Sequence, residues 1–193
     1  MAGIRRLALK YDRSLKTNPL LVKCVTSAGI VAASDSVAQY ALHLKGRKCD
    51  EGFSLNAFRS FAIGTIYGGL QFAPVLHFVT TSWERVLPSK SLPALAFKTI
   101  VDMTTSFPVN LSSMIALQSI LRGESADVGD VVDSVKKNIW PSIKAGWTFW
   151  PVMTVLMYSV VPLHYRVLFL NFGSFGWNFF MVYRFTPKKC QEE

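Results

Sequence analysis

Five polar residues interrupt otherwise apolar stretches of this chain: Asp35, Gln39, Lys98, Asp102 and Arg166. A carboxylate, an amide, an ammonium or a guanidinium in such a place has two uses. It can line a polar path for a small solute or ion, or it can pair with another polar group and fix how helices pack. A charge in hydrocarbon costs at least ~2.5 kcal/mol even on the lenient insertion scale, so each group must face a partner or water. Lys98 and Asp102 stand four apart on one helix face, where a local ion pair is available. Asp35 with Arg166 is a second conceivable pair.

Residue patterns for other chemistry are missing. The sequence has no Gly-x-Ser-x-Gly elbow, no His-Glu-x-x-His and no phosphate-binding glycine loop. His43, His77 and His164 are far apart and lack metal-ligand spacing, and Cys24, Cys49 and Cys190 are too scattered for a metal site or a disulfide framework. The expectation is a protein that is not an enzyme and needs no metal or other cofactor. Its net charge of +9 does not point to nucleic acid, because the lysines and arginines sit at the ends of apolar runs, where they anchor membrane segments.

The elements that would position the five residues follow from the apolar runs. Half of the 193 residues are apolar and only 17% are charged, against about 25% in globular proteins. Mean hydropathy is +0.28. The fold class predicted is all-α: a polytopic membrane helical bundle of about four spans in a single domain. Crossing a hydrocarbon core takes roughly 20 helical residues, and the candidate spans are 20–42, 57–82, 94–121 and 145–165. A further apolar segment, 167–183, follows the last of these; if it also crosses, the two termini separate. Residues 1–17 form a basic amphipathic segment, with Ile4, Leu7, Ala8, Tyr11 and Leu15 on one face and Arg5, Arg6, Lys10, Arg13 and Lys16 largely elsewhere. Such a helix lies at a membrane surface and also has the character of a mitochondrial address. No secretory signal is expected at this end. Residues 126–140 read as a separate surface helix, with Val128, Val131, Val132, Val135 and Ile139 as its apolar stripe.

Small residues mark where helices should touch. Ala28, Ala32 and Ser36 repeat every four residues in the first span, and Ser60, Gly64 and Gly68 do the same in the second. This spacing lets backbones approach closely where lipid supplies no hydrophobic drive to associate, and it is read as contact within one bundle. Pro74, Pro108, Pro151 and Pro162 are expected to bend spans, and Pro19 to open the first helix behind Asn18. Trp83, Trp140, Trp147, Trp150 and Trp177 read most simply as interfacial belt residues.

The densest signature lies near the end of the chain. Trp147, Trp150-Pro151, Pro162 with Arg166 four residues on, and Trp177-Asn178 together resemble the Mpv/PMP family of small peroxisomal and mitochondrial inner-membrane proteins. Fainter matches (Asn18-Pro19, Lys23, Asp35 with Gln39, Arg59, Pro74 with His77) extend the resemblance over nearly the whole chain. Gly146, Thr154, Met157, Met103 and Ala73 depart from the family pattern, several of them replacing amides. The resemblance implies a weakly selective channel for small solutes, contributing to organelle metabolite and redox homeostasis and to mitochondrial DNA maintenance. An alternative is a non-conducting scaffold or assembly factor for mitochondrial complexes or ribosomes. The partners expected are the lipid bilayer, small solutes and a second copy of the chain, with no nucleic acid. The basic start favours the mitochondrial inner membrane, with the peroxisomal membrane as alternative.

Overall fold

Prolines and small residues decide where the helices of this chain start, break and touch. The computed structural model describes residues 2–44, 56–121, 123 and 127–185, leaving aside the side chains of 2–5, 7–9, 42, 44 and 181–185. The loop cations Lys45, Arg47 and Lys48, Cys49 and Cys190, and the closing Lys188 and Lys189 lie outside these residues. Among the described residues there is no strand. Helix α1 spans Ala2–Thr17. Pro19, whose fixed φ suits a first helical position and whose missing N–H is not needed there, opens α2, Pro19–Leu44. Helix α3 runs Ala57–Val86, and Asn56 caps it by accepting a 2.9 Å hydrogen bond from the Arg59 N–H. Its middle, Ile63–Phe72, is a wider helix with i→i+5 bonds, and the chain continues helically through Pro74.

The run 94–121, read as one span, is two helices: α4, Leu92–Thr104, and α5, Ser106–Leu121. Pro108 explains the break. Its ring clashes with the carbonyl four residues back and it cannot donate to it, and that carbonyl belongs to Thr104, the last residue of α4. The opposite correction applies further on. The expected surface helix 126–140 and span 145–165 are one continuous helix, α6, Val128–Val160, with Pro141 and Pro151 inside it. A capping box of Asp127 and Asp130 fixes its start. Beyond it, Ser142, Gly146, Trp150, Thr154 and Tyr158 form one buried stripe at four-residue spacing, and packing along that stripe outweighs two lost ladder bonds. Pro162 and a short turn at Leu163–Tyr165 lead into α7, Arg166–Phe185.

Residue contacts set the directions. Asp35 meets Arg59 and Lys23 meets His77, so α2 and α3 are antiparallel. Ser27 meets Asn171 and Ser34 meets Asn178, so α7 runs parallel to α2. Asp102 meets Tyr158, and Phe107 meets Trp150, so α4 and α5 together run against α6. Among the described residues the chain runs the length of the bundle five times, as α2, α3, α4 with α5, α6, and α7. The segment 167–183 is the fifth pass, which puts α1 and the end of α7 at opposite ends of the bundle.

The bundle has an apolar core, yet it also exposes large apolar side chains and buries charged ones. Large apolar side chains such as Leu21, Phe58, Leu70, Phe78, Phe97, Ile100 and Phe172 are exposed, while Lys23, Asp35, Arg59, Lys98 and Arg166 are buried. Exposed apolar area on this scale marks a surface meant for lipid or protein. Two helices, α2 over Pro19–Ala41 and α3, are long and apolar enough to cross a membrane.

Candidate functional site

The two small-residue faces meet. A methyl added to Gly64 would collide with the Ala28 carbonyl and stand 2.7 Å from the Ala32 Cβ; one on Gly68 would stand 2.9 Å from the Ser27 carbonyl. Backbones this close bring side chains along the same seam into hydrogen-bonding range. At one end of the seam Asp35 Oδ1 accepts from Arg59 Nη2 at 2.8 Å, and Oδ2 accepts from Ser60 Oγ and Gln39 Nε2 at 2.8 Å and from Arg59 Nε at 3.3 Å. Gln39 Oε1 receives the Asn56 N–H at 2.9 Å. Ser36 bonds back to Ala32 of its own helix. Asp35 and Gln39 are therefore locked into the contact between α2 and α3.

The pairing of Asp35 with Arg166 does not occur. Arg166 opens α7 at the other end of the bundle, where its Nη1 donates to Glu84 Oε2 at 2.8 Å and its Nε to the Val161 carbonyl at 3.3 Å. Lys98 and Asp102, although on one face of α4, engage different partners. Lys98 Nζ donates to the Ser89 carbonyl at 3.1 Å. The Asp102 carboxylate receives Trp83 Nε1–H and the Tyr158 hydroxyl, each at 2.8 Å. Two cations stand within cation–π reach of the Tyr158 ring, Lys98 Nζ and the Arg166 guanidinium carbon each 5.2 Å from its centroid, an arrangement strengthened by burial. Four helices, α3, α4, α6 and α7, contribute to this network of two carboxylates and two cations around one phenol.

Next to the network lies an interior cavity of about 70 Å³, walled by α2 through α7. Asp102 and Tyr158 stand at one end, Met114 and Asn178 at the other, with Met103, Asn110, Thr154, Met157 and Ser174 between. Of the five candidate polar-path residues, Asp102 alone lines it. Met103, Thr154 and Met157, three of the departures noted above, are wall residues.

Aromatic packing shapes one side. Trp150 and Trp177 are 7% exposed, with ring centroids 6.0 Å apart, and the Phe107 ring sits 6.2 and 6.3 Å from them. Gly146 makes room, because a methyl there would overlap the Phe107 ring. These two tryptophans are therefore core residues, not belt residues, and Trp83 is tied to Asp102; Trp140 and Trp147 are exposed. Pro151 is half-buried and Pro162 exposed.

Several residues of the site escaped the sequence reading: Glu84, Tyr158, Asn110, Ser174 and the partnership of Arg59. A ladder between α2 and α7 was also missed: Asn171 Nδ2 donates to Ser27 Oγ at 2.7 Å, Asn178 Nδ2 to Ser34 Oγ at 3.1 Å, and Ser34 Oγ to the Phe175 carbonyl at 3.0 Å. Gln118 Nε2 of α5 donates to Asn178 Oδ1 at 3.1 Å. A signal existed, since both serines and both asparagines are seven apart. Among the described residues no cluster of His, Cys, Asp and Glu is arranged to hold a metal ion.

These features define a class: a helical bundle with an apolar exterior, charges paired inside, and a cavity among its helices. Within that class the model of the Mpv17 / PMP22 family matches residues 119–182, the part of the chain with the densest signature. The chain is similar to Protein SYM1 of Gibberella zeae, at 28% identity over 178 residues, covering 89% of this chain and 93% of that protein. Protein SYM1 of Saccharomyces cerevisiae is 26% identical over 183 residues, covering 90% of this chain and 87% of that one. Peroxisomal membrane protein 2 of Bos taurus is 27% identical over 175 residues, covering 90% and 86%. No solved structure matches.

Proposed function

We propose that the protein is a multi-pass organelle-membrane protein that passes small solutes through the interior of its bundle. The observation that carries this reading is the cavity among α2 to α7, inside a bundle that exposes large apolar side chains and buries Lys23, Asp35, Arg59, Lys98 and Arg166. In hydrocarbon, polar groups are kept only where they face partners or an aqueous path, and Asp102 faces both the network and the cavity. The passage sets its charge with Asp102, and the adjoining Lys98 and Arg166 balance it. Its biological contribution is to organelle metabolite and redox balance, and through it to maintenance of mitochondrial DNA. Purified protein in planar bilayers should show unitary conductance, and Asp102→Asn should lower the preference for cations. Silence at high protein load would overturn the reading.

One observation favours a second reading, a non-conducting scaffold for mitochondrial complexes. Asp35, Arg59, Glu84 and Arg166 are paired within the protein, as packing contacts require. Co-purification of one defined complex, with bilayers silent, would select it. For location we propose the mitochondrial inner membrane. Arg6, Lys10, Arg13 and Lys16 are exposed on α1, as an amphipathic address needs. The likeness to a protein named for the peroxisomal membrane supports the alternative, and imaging a tagged chain against both organelles decides between them.

A further inference from the structure

Helix α1 carries a row of cations that the rest of the bundle does not engage. Arg6, Lys10 and Arg13 follow one another at four- and three-residue spacing, so they share one helix face. With Lys16 they line one open hollow beside α1, and all four are exposed. Among the described residues the hollow holds one carboxylate, Asp12, and it is already taken. It pairs with Lys16 at 2.7 Å and accepts from the Tyr165 hydroxyl at 2.9 Å. Arg6, Lys10 and Arg13 have no ion-pair partner among the described residues. Like charges four apart destabilise a helix, so the row is unfavourable until anions from outside offset it.

The placement of α1 narrows which anions those are. Leu15, on the helix face opposite Arg6, is 1% exposed, and the bond from Tyr165 to Asp12 ties α1 to the turn before α7. The bundle therefore covers the face of Leu15, and the cationic face is the one left open. Helix α1 ends at Thr17 and α2 begins at Pro19. Over Pro19–Ala41, α2 is long and apolar enough to cross a membrane. Its exposed Leu21 and Val25 put apolar surface within about two turns of the end of the cation row. Clusters of lysine and arginine beside a span or on an amphipathic helix attract anionic lipid, and charge complementarity selects the same partner here.

We propose that the Arg6, Lys10 and Arg13 face of α1 is a docking surface for the headgroups of anionic phospholipids. The lipid phosphates accept hydrogen bonds from the guanidinium and ammonium groups, while Lys16 stays with Asp12 at the edge of the row. Each lysine or arginine near an anionic membrane surface strengthens association roughly fivefold, so three together reach the order of a hundredfold. This goes beyond the proposed passage and does not depend on it, because no described residue of α1 lines the interior cavity.

The test is native mass spectrometry of the full chain in detergent, titrated with dioctanoyl phosphatidylglycerol and with dioctanoyl phosphatidylcholine. The two lipids share their tails, and the second has no net charge. Phosphatidylglycerol should bind at least tenfold more tightly, with the difference shrinking as salt is raised. The triple variant Arg6→Gln, Lys10→Gln and Arg13→Gln should bring the two lipids to within about twofold. Its thermal midpoint should stay unchanged, since all three positions are exposed. Arg6→Lys with Arg13→Lys retains the charge and should retain the preference. Lys136→Gln with Lys137→Gln removes two exposed cations of α6 and should retain it too. Equal binding of the two lipids by the unaltered chain overturns the assignment, as does an undiminished preference in the triple variant. Displacement of phosphatidylglycerol by inorganic phosphate at equal concentration overturns it as well, because the row would then belong to a free anion. An acidic protein that binds the unaltered chain and not the triple variant, while the lipid preference persists in both, gives the row to that protein and overturns the lipid assignment.

Discussion

Replacing Asp35 with asparagine should destabilise the bundle by about 3–5 kcal/mol, the usual cost of removing one partner from a buried ion pair. The side chains of Asp35 and Arg59 are 0% and 9% exposed, so water cannot replace the lost charge. The carboxylate accepts from Arg59 Nη2 and Nε, Ser60 Oγ and Gln39 Nε2. An amide of the same shape has one accepting oxygen and an NH₂ that confronts other donors. Hydrogen bonds to a charged group contribute about 1.5–3 kcal/mol each, so loss of even two reaches the same range. Denaturant-driven unfolding of the purified chain in detergent measures the effect, and a cycle with Arg59→Met isolates the pair. The double variant should cost less than the sum of the singles by more than 1 kcal/mol, because Arg59 without Asp35 is a buried charge with no counterion. A single-variant cost below about 1 kcal/mol with additive singles would refute the argument from burial. Altered ion preference in bilayers at unchanged stability would put Asp35 on the conducting path.

Further outcomes follow from the same geometry. Gly64→Ala should cost about 1–3 kcal/mol by pushing α2 from α3, whereas Gly29→Ala, where an added methyl meets nothing within 4 Å, should be neutral or stabilising by up to about 1 kcal/mol; thermal denaturation of the two variants compares them directly. Tyr158→Phe should leave Asp102 Oδ2 without its donor and cost about 1–3 kcal/mol, read as a lowered midpoint together with a shift in tryptophan fluorescence from Trp83. Asp12 on α1 is held below the usual carboxylate range, first by its hydrogen bond from Lys16 and then by that from the Tyr165 hydroxyl. Since its folded value is depressed, the tether of α1 to the turn before α7 is present above the ordinary carboxylate range and fades as pH falls through the lowered value. Limited proteolysis of α1 should therefore accelerate in acid. In Asp12→Asn that acceleration should be missing and cleavage fast throughout.

Certain features were legible because they are local. The Ala28 and Ala32 spacing and the Gly64 and Gly68 spacing each belong to one helix, and a small-residue face is visible from its own repeat. The reading of Lys98 with Asp102 failed despite its correct spacing, since proximity on one helix does not outweigh better-placed partners on others: Trp83 and Tyr158 for the carboxylate, the Ser89 carbonyl for the ammonium. Trp150 and Trp177 were misread for a similar reason. Tryptophan at a run's border suits both an interface and a core, and burial alone separates the two.

From the sequence by itself come the helical class, the apolar exterior, the family resemblance and the small-residue faces of α2 and α3, because composition, run length and four-residue repeats act within a single element. The tertiary structure alone decided that Asp35 belongs to Arg59, twenty-four residues away, and Arg166 to Glu84, eighty-two residues away. It also joined 128–140 to 145–160 in one helix, added α7 as a fifth pass, and gathered Asn110, Trp150 and Ser174 around one cavity. Each of these depends on which helix packs against which. That choice is set by the summed fit of whole faces, and no single residue's type or spacing carries it.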